Sequence, residues 1–259
     1  MPDRPSIAEL RERTQPADIR GRRNSEHWTA DLYQRRLSPY LTRVLVATTI
    51  SANAVTCLMI LTGAAAGAAL LLPGLGGALL AAFLGQLQML WDCCDGEVAR
   101  WRRTSSAVGV FLDKVGHYTA EGLIPIALGV RADGGGDSIG GWTTLGALLS
   151  VLVLFNKALN DAVHVARAAA GLPRLEDRES AAAPTISGVR RLRSLARFLP
   201  FHRVFHSVEM TLVALVAAVV DLAAGGLDGT RTLVAVLVPL AVLTVAGHLL
   251  AILTSSRLR

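Results

Sequence analysis

Long apolar segments alternate with short polar or glycine-rich breaks along most of the chain. Six of these segments reach about 20 residues, the length that an α-helix needs to cross the hydrocarbon core of a bilayer. They lie at residues 50–72, 75–99, 108–130, 143–166, 206–224 and 232–254. The pattern therefore predicts an all-α integral membrane protein with six transmembrane helices.

A mostly polar segment, residues 1–49, precedes the six-helix membrane domain that we assign to residues 50–259. Ser38 followed by Pro39 is typical of an N-cap with proline at the first helical position, and apolar side chains recur after them at helical spacing. We expect an amphipathic helix in the membrane interface here. The chain before about residue 25 is polar and is expected to be mobile. With no short apolar run and cleavage site ahead of it, the first span is expected to stay as an anchor.

Composition supports this class of protein. Of the 259 residues, 52% are hydrophobic and only 18% are charged, and the mean hydropathy is positive, as in polytopic membrane proteins. The net charge of +6 is interleaved with the membrane segments instead of being gathered on one soluble face. Anionic lipid headgroups or phosphorylated substrates are therefore better partners than nucleic acid. Three cysteines offer no disulfide framework.

The distribution of lysine and arginine predicts the orientation. The N-terminal segment, the junction of the second and third spans, the segment 167–203 and the C-terminal tail together hold 23 of the 26 basic residues. The alternate connections hold only Arg131 and Arg231, and Lys157 lies inside a span. By the positive-inside rule, both termini and the junction of the second and third spans face the cytoplasm. We expect an integral protein of the cell membrane.

That junction carries a cluster of ionisable residues. If the second helix continues through Arg100, Asp92 and Asp95 lie on one of its faces. Asp113 and His117, four residues apart, share a face of the third helix. Two such faces turned together would form an oxygen-rich pocket for one or two hard divalent cations, with positions left open for phosphate oxygens. Ionisable side chains at membrane depth indicate a functional site by default.

Small residues accompany the cluster. Gly96 and Ala99 would let a ligand approach the backbone closely in a crowded helix pair. Arg100 would then meet a phosphate group. Gly109, one turn before Asp113, could open the same space from the opposite helix.

These residues resemble the signature of the CDP-alcohol phosphotransferase family. The signature has two aspartates, a glycine, an Ala-Arg pair, a second glycine and two further aspartates at fixed spacing. Seven of its eight positions are matched by Asp92, Asp95, Gly96, Ala99, Arg100, Gly109 and Asp113. The eighth position, an aspartate in the family, is His117. Asn53 and Thr56 are similar to an Asn-x-x-Thr element often found at the start of the first span.

The resemblance implies a cytoplasmic-side active site, a preceding interfacial helix and a homodimer. It implies Mg²⁺ or Mn²⁺ bound by Asp92, Asp95 and Asp113. It implies contacts with the CDP moiety from Gly96, Ala99, Arg100 and Gly109. His117 would occupy the general-base position, so that the catalytic residues would be His117 and Asp113. The implied reaction is displacement of CMP from a CDP-linked lipid, CDP-diacylglycerol in the first instance, by a small hydroxylated acceptor in phospholipid biosynthesis.

His117 decides whether this chemistry is intact, altered or lost. A neutral imidazole can accept a proton at neutral pH, so base function could survive the replacement. Losing one carboxylate removes a negative charge, and imidazole is a poorer partner for magnesium than for manganese or zinc. The leading hypothesis is a working enzyme with altered metal preference or acceptor; the alternative is an inactive relative. An aspartate-rich membrane prenyltransferase or a cation transporter would also place carboxylates in the membrane.

A polar stripe in the cytoplasmic half of the fourth span offers a second candidate site. Lys157, Asp161 and His164 lie near one face and are predicted either to line a pocket for the acceptor or, for Lys157 and Asp161, to pair with each other. Glu121, one turn beyond His117, could orient the imidazole or pair with Lys157.

A basic run ahead of the fifth span, which includes Arg191 and Arg193, is typical of a segment attracted to anionic lipid. A phosphorylated acceptor such as an inositol phosphate could also use it. No short motif distinguishes inositol phosphate from glycerol phosphate, serine or other alcohols as the acceptor.

Overall fold

The computed structural model describes residues 5–16, 29–136, 139–173 and 201–258. Within these ranges, all regular secondary structure is helical. The α-helices are α1 (Ile7–Thr14), α2 (Arg35–Val46), α3 (Ala52–Leu70), α4 (Gly74–Arg102), α5 (Ala107–Ala132), α6 (Gly141–Ala169), α7 (Ser207–Ala224) and α8 (Asp228–Thr254). A π-helical turn, Ala30–Gln34, leads directly into α2.

Helices α3 to α8 lie at the six predicted spans. Five of them are long and apolar enough to cross a membrane, and α5 is not among these five. Its 26 residues suffice in length, but they include ionisable side chains such as Asp113, His117 and Glu121. The prediction of an all-α membrane protein is confirmed, with five candidate spans and a sixth long helix at the predicted position.

Capping residues and a left-handed turn define the helix ends around the motif. The hydroxyls of Ser51 and Ser106 accept hydrogen bonds from the third residues that follow them and so cap the starts of α3 and α5. Arg103 ends α4 in the left-handed conformation, with φ of 57°, which reverses the chain at once. The short connection that results keeps the end of α4 beside the start of α5.

Glycines allow α3 and α5 to approach each other closely. A Cβ at Gly63 would lie 2.8 Å from the Cβ of Ala120, and one at Gly67 would lie 3.1 Å from the Cβ of Leu123. The first distance is shorter than real carbon contacts and the second is tighter than most of them, so small residues favour this interface, as in other membrane helix pairs. The first span is thereby held against the helices that carry the motif.

The N-terminal segment differs from its prediction in two respects. Helix α2 begins at Arg35, and Pro39 lies inside it, so the predicted N-cap at Ser38 is wrong. The π-helical turn already supplies a helical start, and the Ser38 hydroxyl donates instead to Glu97 on α4, at 2.5 Å. The expectation of mobility is also wrong for residues 5–16, because α1 is formed there and packs against α4.

The amphipathic character of α2 takes the form expected of an interfacial helix. Leu37, Tyr40 and Val44 are more than half exposed, whereas Ser38 and Thr42 are fully buried. Ser38 and Thr42 thus face the protein, whereas the three exposed apolar side chains face outward, where lipid would solvate them.

Candidate active site

Asp92 and Asp113 meet across the α4–α5 junction with His117 between them. The Nε2 atom of His117 lies 3.3 Å from Oδ1 of Asp92 and 3.6 Å from Oδ1 of Asp113. One ligand atom from each residue lies within 4.8 Å of the other two. We call these three residues the Asp–His cluster. The structure thus brings together residues from the two helical faces that the spacing placed at this junction.

The donor set of the Asp–His cluster fits a divalent cation. Carboxylate oxygens suit magnesium and manganese, and an imidazole nitrogen shifts the balance toward softer first-row ions. The three side chains are between 16% and 38% exposed, so the cluster is partly desolvated yet open to a ligand. Two carboxylates held this close also favour a bound cation, because their charges repel each other.

Asp95 lies one turn further along α4 and has a different partner. Its carboxylate accepts a hydrogen bond from the Thr56 hydroxyl at 2.7 Å. Asn53, the other member of the Asn-x-x-Thr element, lies opposite Gly109, where a Cβ would come within 3.3 Å of Oδ1 of Asn53. The start of α3 therefore contacts both halves of the motif, one through a hydrogen bond and the other through close packing.

The guanidinium of Arg100 lies beside Gly96 and contacts the N-terminal segment. Its Nε donates to the backbone carbonyl of Thr14 at 2.6 Å. Its Nη1 and Nη2 lie 3.0 and 3.2 Å from where a Cβ of Gly96 would be, and Ala99 next to it in sequence is partly buried. The absence of a side chain at Gly96 thus makes room for the guanidinium itself.

Glu97 is buried within the motif, at a position that the signature leaves open. Its side chain is fully buried and accepts hydrogen bonds from three side chains of the N-terminal segment. The donors are Gln15 at 2.7 Å, Ser38 at 2.5 Å and Thr42 at 2.6 Å. In the sequence, the signal that could have pointed to Glu97 is its place between Gly96 and Ala99 of the motif, and no spacing links it to its donors.

Glu121 connects the Asp–His cluster with α6 and with the start of α7. This buried carboxylate lies 2.7 Å from Nζ of Lys157 and 3.2 Å from Nδ1 of His206. It also lies 3.9 Å from Nδ1 of His117, on the ring edge opposite the two aspartates. Both predicted roles of Glu121 are compatible with this placement, since it faces the imidazole and pairs with Lys157. His206 had no predicted partner.

The predicted ion pair between Lys157 and Asp161 is wrong. Lys157 pairs with Glu121, whereas Asp161 pairs with Lys114 at 2.9 Å and accepts a hydrogen bond from the Tyr118 hydroxyl at 3.1 Å. Both residues of α6 therefore find their partners on α5. Their side chains face the neighbouring helix, and this contact competes with pairing along one helix.

The other predicted acceptor residues do not join this arrangement in the part of the chain that is described. His164 is exposed on α6. Arg191 and Arg193 lie outside the described residues.

Comparison with known families agrees with the motif. The family model described as CDP-alcohol phosphatidyltransferase matches residues 49–172. This range includes α3 to α6 and hence the whole Asp–His cluster, whereas α1, α2, α7 and α8 lie outside it. No curated protein gives a significant match to the chain.

Proposed function

We propose a specific reaction for this protein, because residues 49–172 match the family model described as CDP-alcohol phosphatidyltransferase, whose members transfer substituted phosphate groups. It moves a phosphatidyl group from a CDP-linked lipid, CDP-diacylglycerol in the first instance, to a small hydroxylated acceptor and releases CMP. The observation that carries this proposal is the meeting of Asp92, Asp113 and His117 within 4.8 Å inside the matched segment. Phospholipid biosynthesis is the corresponding pathway.

The reaction needs charge neutralisation on the pyrophosphate and removal of a proton from the acceptor. Mg²⁺ or Mn²⁺ held by Asp92 and Asp113, with Asp95 nearby, would stabilise the negative charge that develops on the leaving CMP. Arg100 offers a guanidinium to the same phosphate groups.

His117 is the proposed general base, a role in which Asp92 and Asp113 hold the cation and Nε2 of His117 stays free of it. Its Nε2 faces both aspartates, so an acceptor hydroxyl bound at the cluster would lie within reach of this nitrogen. Glu121 lies near the opposite ring nitrogen, and a cation held by the two aspartates would favour the tautomer that carries its proton on Nδ1, away from the cation. That tautomer leaves Nε2 able to accept the proton.

The proposal includes an orientation and an assembly. The excess of basic residues on one side supports a site at the cytoplasmic face of the cell membrane, with both termini on that side. The family resemblance supports a homodimer. We also keep the division into an N-terminal segment, 1–49, and a six-helix membrane domain, 50–259.

Release of CMP by the purified full-length protein tests this function. The protein is supplied with CDP-diacylglycerol, with Mg²⁺ or Mn²⁺, and with a panel of acceptors that includes inositol phosphate, glycerol phosphate and serine. We expect CMP release and a new phospholipid that depend on both the ion and one acceptor class. Asp228→Asn is the matched control for aspartate-to-asparagine variants of the Asp–His cluster, because it removes an exposed carboxylate from the start of α8, outside the segment that the family model matches.

Two of the alternatives predict other results. A folded protein that releases no CMP with any acceptor or ion would contradict the proposal and favour an inactive relative. Ion flux into vesicles without CMP release would favour a transporter.

A further inference from the structure

The segment 5–16, which contains α1, lies outside the family-matched region and is packed onto the motif helix α4. Leu10 and Thr14 are fully buried, and Gln15 is almost fully buried. The guanidinium of Arg13 lies over the ring of Trp101 at 5.0 Å, a distance that allows a cation–π interaction. The segment is thus held by apolar, polar and aromatic contacts at the end of α4 that carries the motif.

One edge of the Arg100 guanidinium is engaged by this segment. The Nε of Arg100 donates to the Thr14 carbonyl, while Nη1 and Nη2 lie beside Gly96. A guanidinium is planar and its donors form a rigid fork. A fixed Nε therefore also limits the directions that the two terminal nitrogens can take.

The Thr14 carbonyl is in turn fixed by the residue that follows it. The Gln15 amide donates to Glu97 at 2.7 Å and to the carbonyl of Arg35 at 2.8 Å. Glu97 stands three residues before Arg100, so the two side chains lie on neighbouring positions of one helical face. The anchor and the guanidinium therefore belong to the same short stretch of α4.

We propose that the segment 5–16 is a positioning element for phosphatidyl transfer. Gln15, anchored on Glu97, sets the Thr14 carbonyl, and this carbonyl orients Arg100 toward the pyrophosphate of the CDP-lipid. The inference rests on the proposed function, in which Arg100 contacts the leaving group. Gln15 and Glu97 are positioning residues, because they act through Arg100.

The expected consequence is an effect on donor affinity. A guanidinium that is already oriented loses less conformational freedom when it binds a phosphate. Loss of the anchor should therefore weaken binding of the CDP-lipid, and leave the acceptor and the chemical step nearly unchanged.

A double-mutant cycle tests this role in the full-length protein. Gln15→Met removes the amide and keeps the side-chain volume, and Arg100→Ala removes the group to be oriented. We expect Gln15→Met to raise the KM for CDP-diacylglycerol about five- to tenfold, with less than about twofold change in kcat and in the acceptor KM. In the Arg100→Ala background it should change the donor KM by less than about twofold. Glu12→Ala, at an exposed position of α1, is the matched control.

Other outcomes overturn the inference. An equal effect of Gln15→Met in both backgrounds means that Gln15 does not act through Arg100. A lower donor KM in Gln15→Met means that the segment obstructs the site instead of ordering it. Should Gln15→Met fail to fold, Gln15→Asn and Gln15→Ser, which keep a neutral polar group near Glu97, are carried through the same cycle, and unchanged donor KM in both contradicts the role.

Binding of CDP, followed as a shift in thermal unfolding, separates this inference from the proposed function. A wild-type protein that neither binds CDP nor releases CMP refutes the proposed function itself. A wild-type protein that does both, with CDP binding unaffected by Gln15→Met, refutes only the positioning role.

Discussion

The two ends of helix α5 both carry charged side chains, but they satisfy them in opposite ways. At the C-terminal end of α5, Arg131 donates to the carbonyls of Leu72 at 2.9 Å and Gly74 at 2.6 Å. Asp133, the next residue after the helix, accepts hydrogen bonds from the Thr143 amide and hydroxyl. Of these partners, the Leu72 carbonyl just past α3 and the Thr143 amide in the first turn of α6 are groups that a helix end leaves without intrahelical partners.

At the other end, the Asp–His cluster sets two carboxylates against one imidazole. Carboxylates at such close range repel each other unless a positive charge lies between them. Charges satisfied by the backbone therefore stabilise the fold, whereas like charges held together favour binding of a ligand. Substitutions at the two ends should accordingly affect stability at one end and activity at the other.

Neutralising an aspartate of the Asp–His cluster should have the largest effect. Asp113→Asn is expected to lower CMP release about 10³-fold or more, because it removes a ligand for the cation that stabilises the leaving group. Unfolding temperature should stay the same or rise, because the repulsion with Asp92 disappears. Activity assays and thermal unfolding on the same preparation check both parts. Loss of activity with equal loss of folded protein would make Asp113 a structural residue.

Removal of the imidazole should have the next largest effect. His117→Ala is expected to reduce kcat by about 10²- to 10⁴-fold, the range for loss of a general base. Undiminished CMP release in His117→Ala would refute the base assignment. His117→Asp restores the residue of the family signature and should retain activity, with its preference shifted from Mn²⁺ toward Mg²⁺. Rates measured over both ions reveal that shift.

A substitution at the C-terminal end of α5 should lower the stability of the protein and leave its activity unchanged. Arg131→Met removes the donor to the carbonyls of Leu72 and Gly74, and the loss of these two hydrogen bonds should cost about 1–3 kcal/mol in total. The expected result is a lower unfolding temperature with unchanged kcat per folded molecule. A selective loss of kcat would break the contrast between the two ends.

A methyl group at Gly96 should have a smaller effect. The new Cβ would lie 3.0 Å from Nη1 of Arg100, so the guanidinium must move by a few tenths of an ångström. We expect Gly96→Ala to raise the KM for the CDP-lipid about three- to tenfold, which matches roughly 1 kcal/mol of lost binding. Gly76→Ala, on the same helix with open space around it, controls for the change in helix propensity. Equal effects at both positions would argue against crowding of Arg100.

Asp133 should show the smallest effect, as a pH dependence. Hydrogen bonds, first from the Thr143 hydroxyl and then from nearby amides, hold the pKa of the Asp133 carboxyl below its usual value. Because the folded-state pKa is lowered, this stabilisation is present above the pKa of the unfolded chain and is lost as the pH falls through the folded-state pKa. The unfolding temperature should fall slightly on acidification below about pH 4, and the fall should be less steep in Asp133→Asn. Parallel curves for both proteins would contradict the prediction.

Much of the site follows from local spacing. Asp92 and Asp95 share a face of α4, and Asp113 and His117 share a face of α5, because residues three or four apart are neighbours on any α-helix. The short polar connection then makes contact between these faces possible. The sequence could not assign Glu121 to a single partner, because Lys157 and His206 reach it from other parts of the chain.

Contacts between distant segments account for the errors. Ser38 carries a local N-cap signal, yet its hydroxyl serves Glu97, which lies 59 residues away in sequence. Gln15 reaches the same carboxylate over 82 residues. A buried carboxylate is costly without donors, so a tertiary contact overrides the local signal in α2 and gives α1 a place to bind.

The sequence by itself determined the all-α membrane class and the approximate positions of the six long helices, five of which are candidate spans. It also placed the motif at the junction of α4 and α5, since apolar length and helical spacing are local properties of a chain. Only the tertiary structure decided which charges meet. It set His117 between two aspartates, paired α6 with α5 instead of with itself, and brought the segment 5–16 onto Arg100. The physical reason is that a buried polar group requires a partner, and the nearest partner in space is rarely the nearest in sequence.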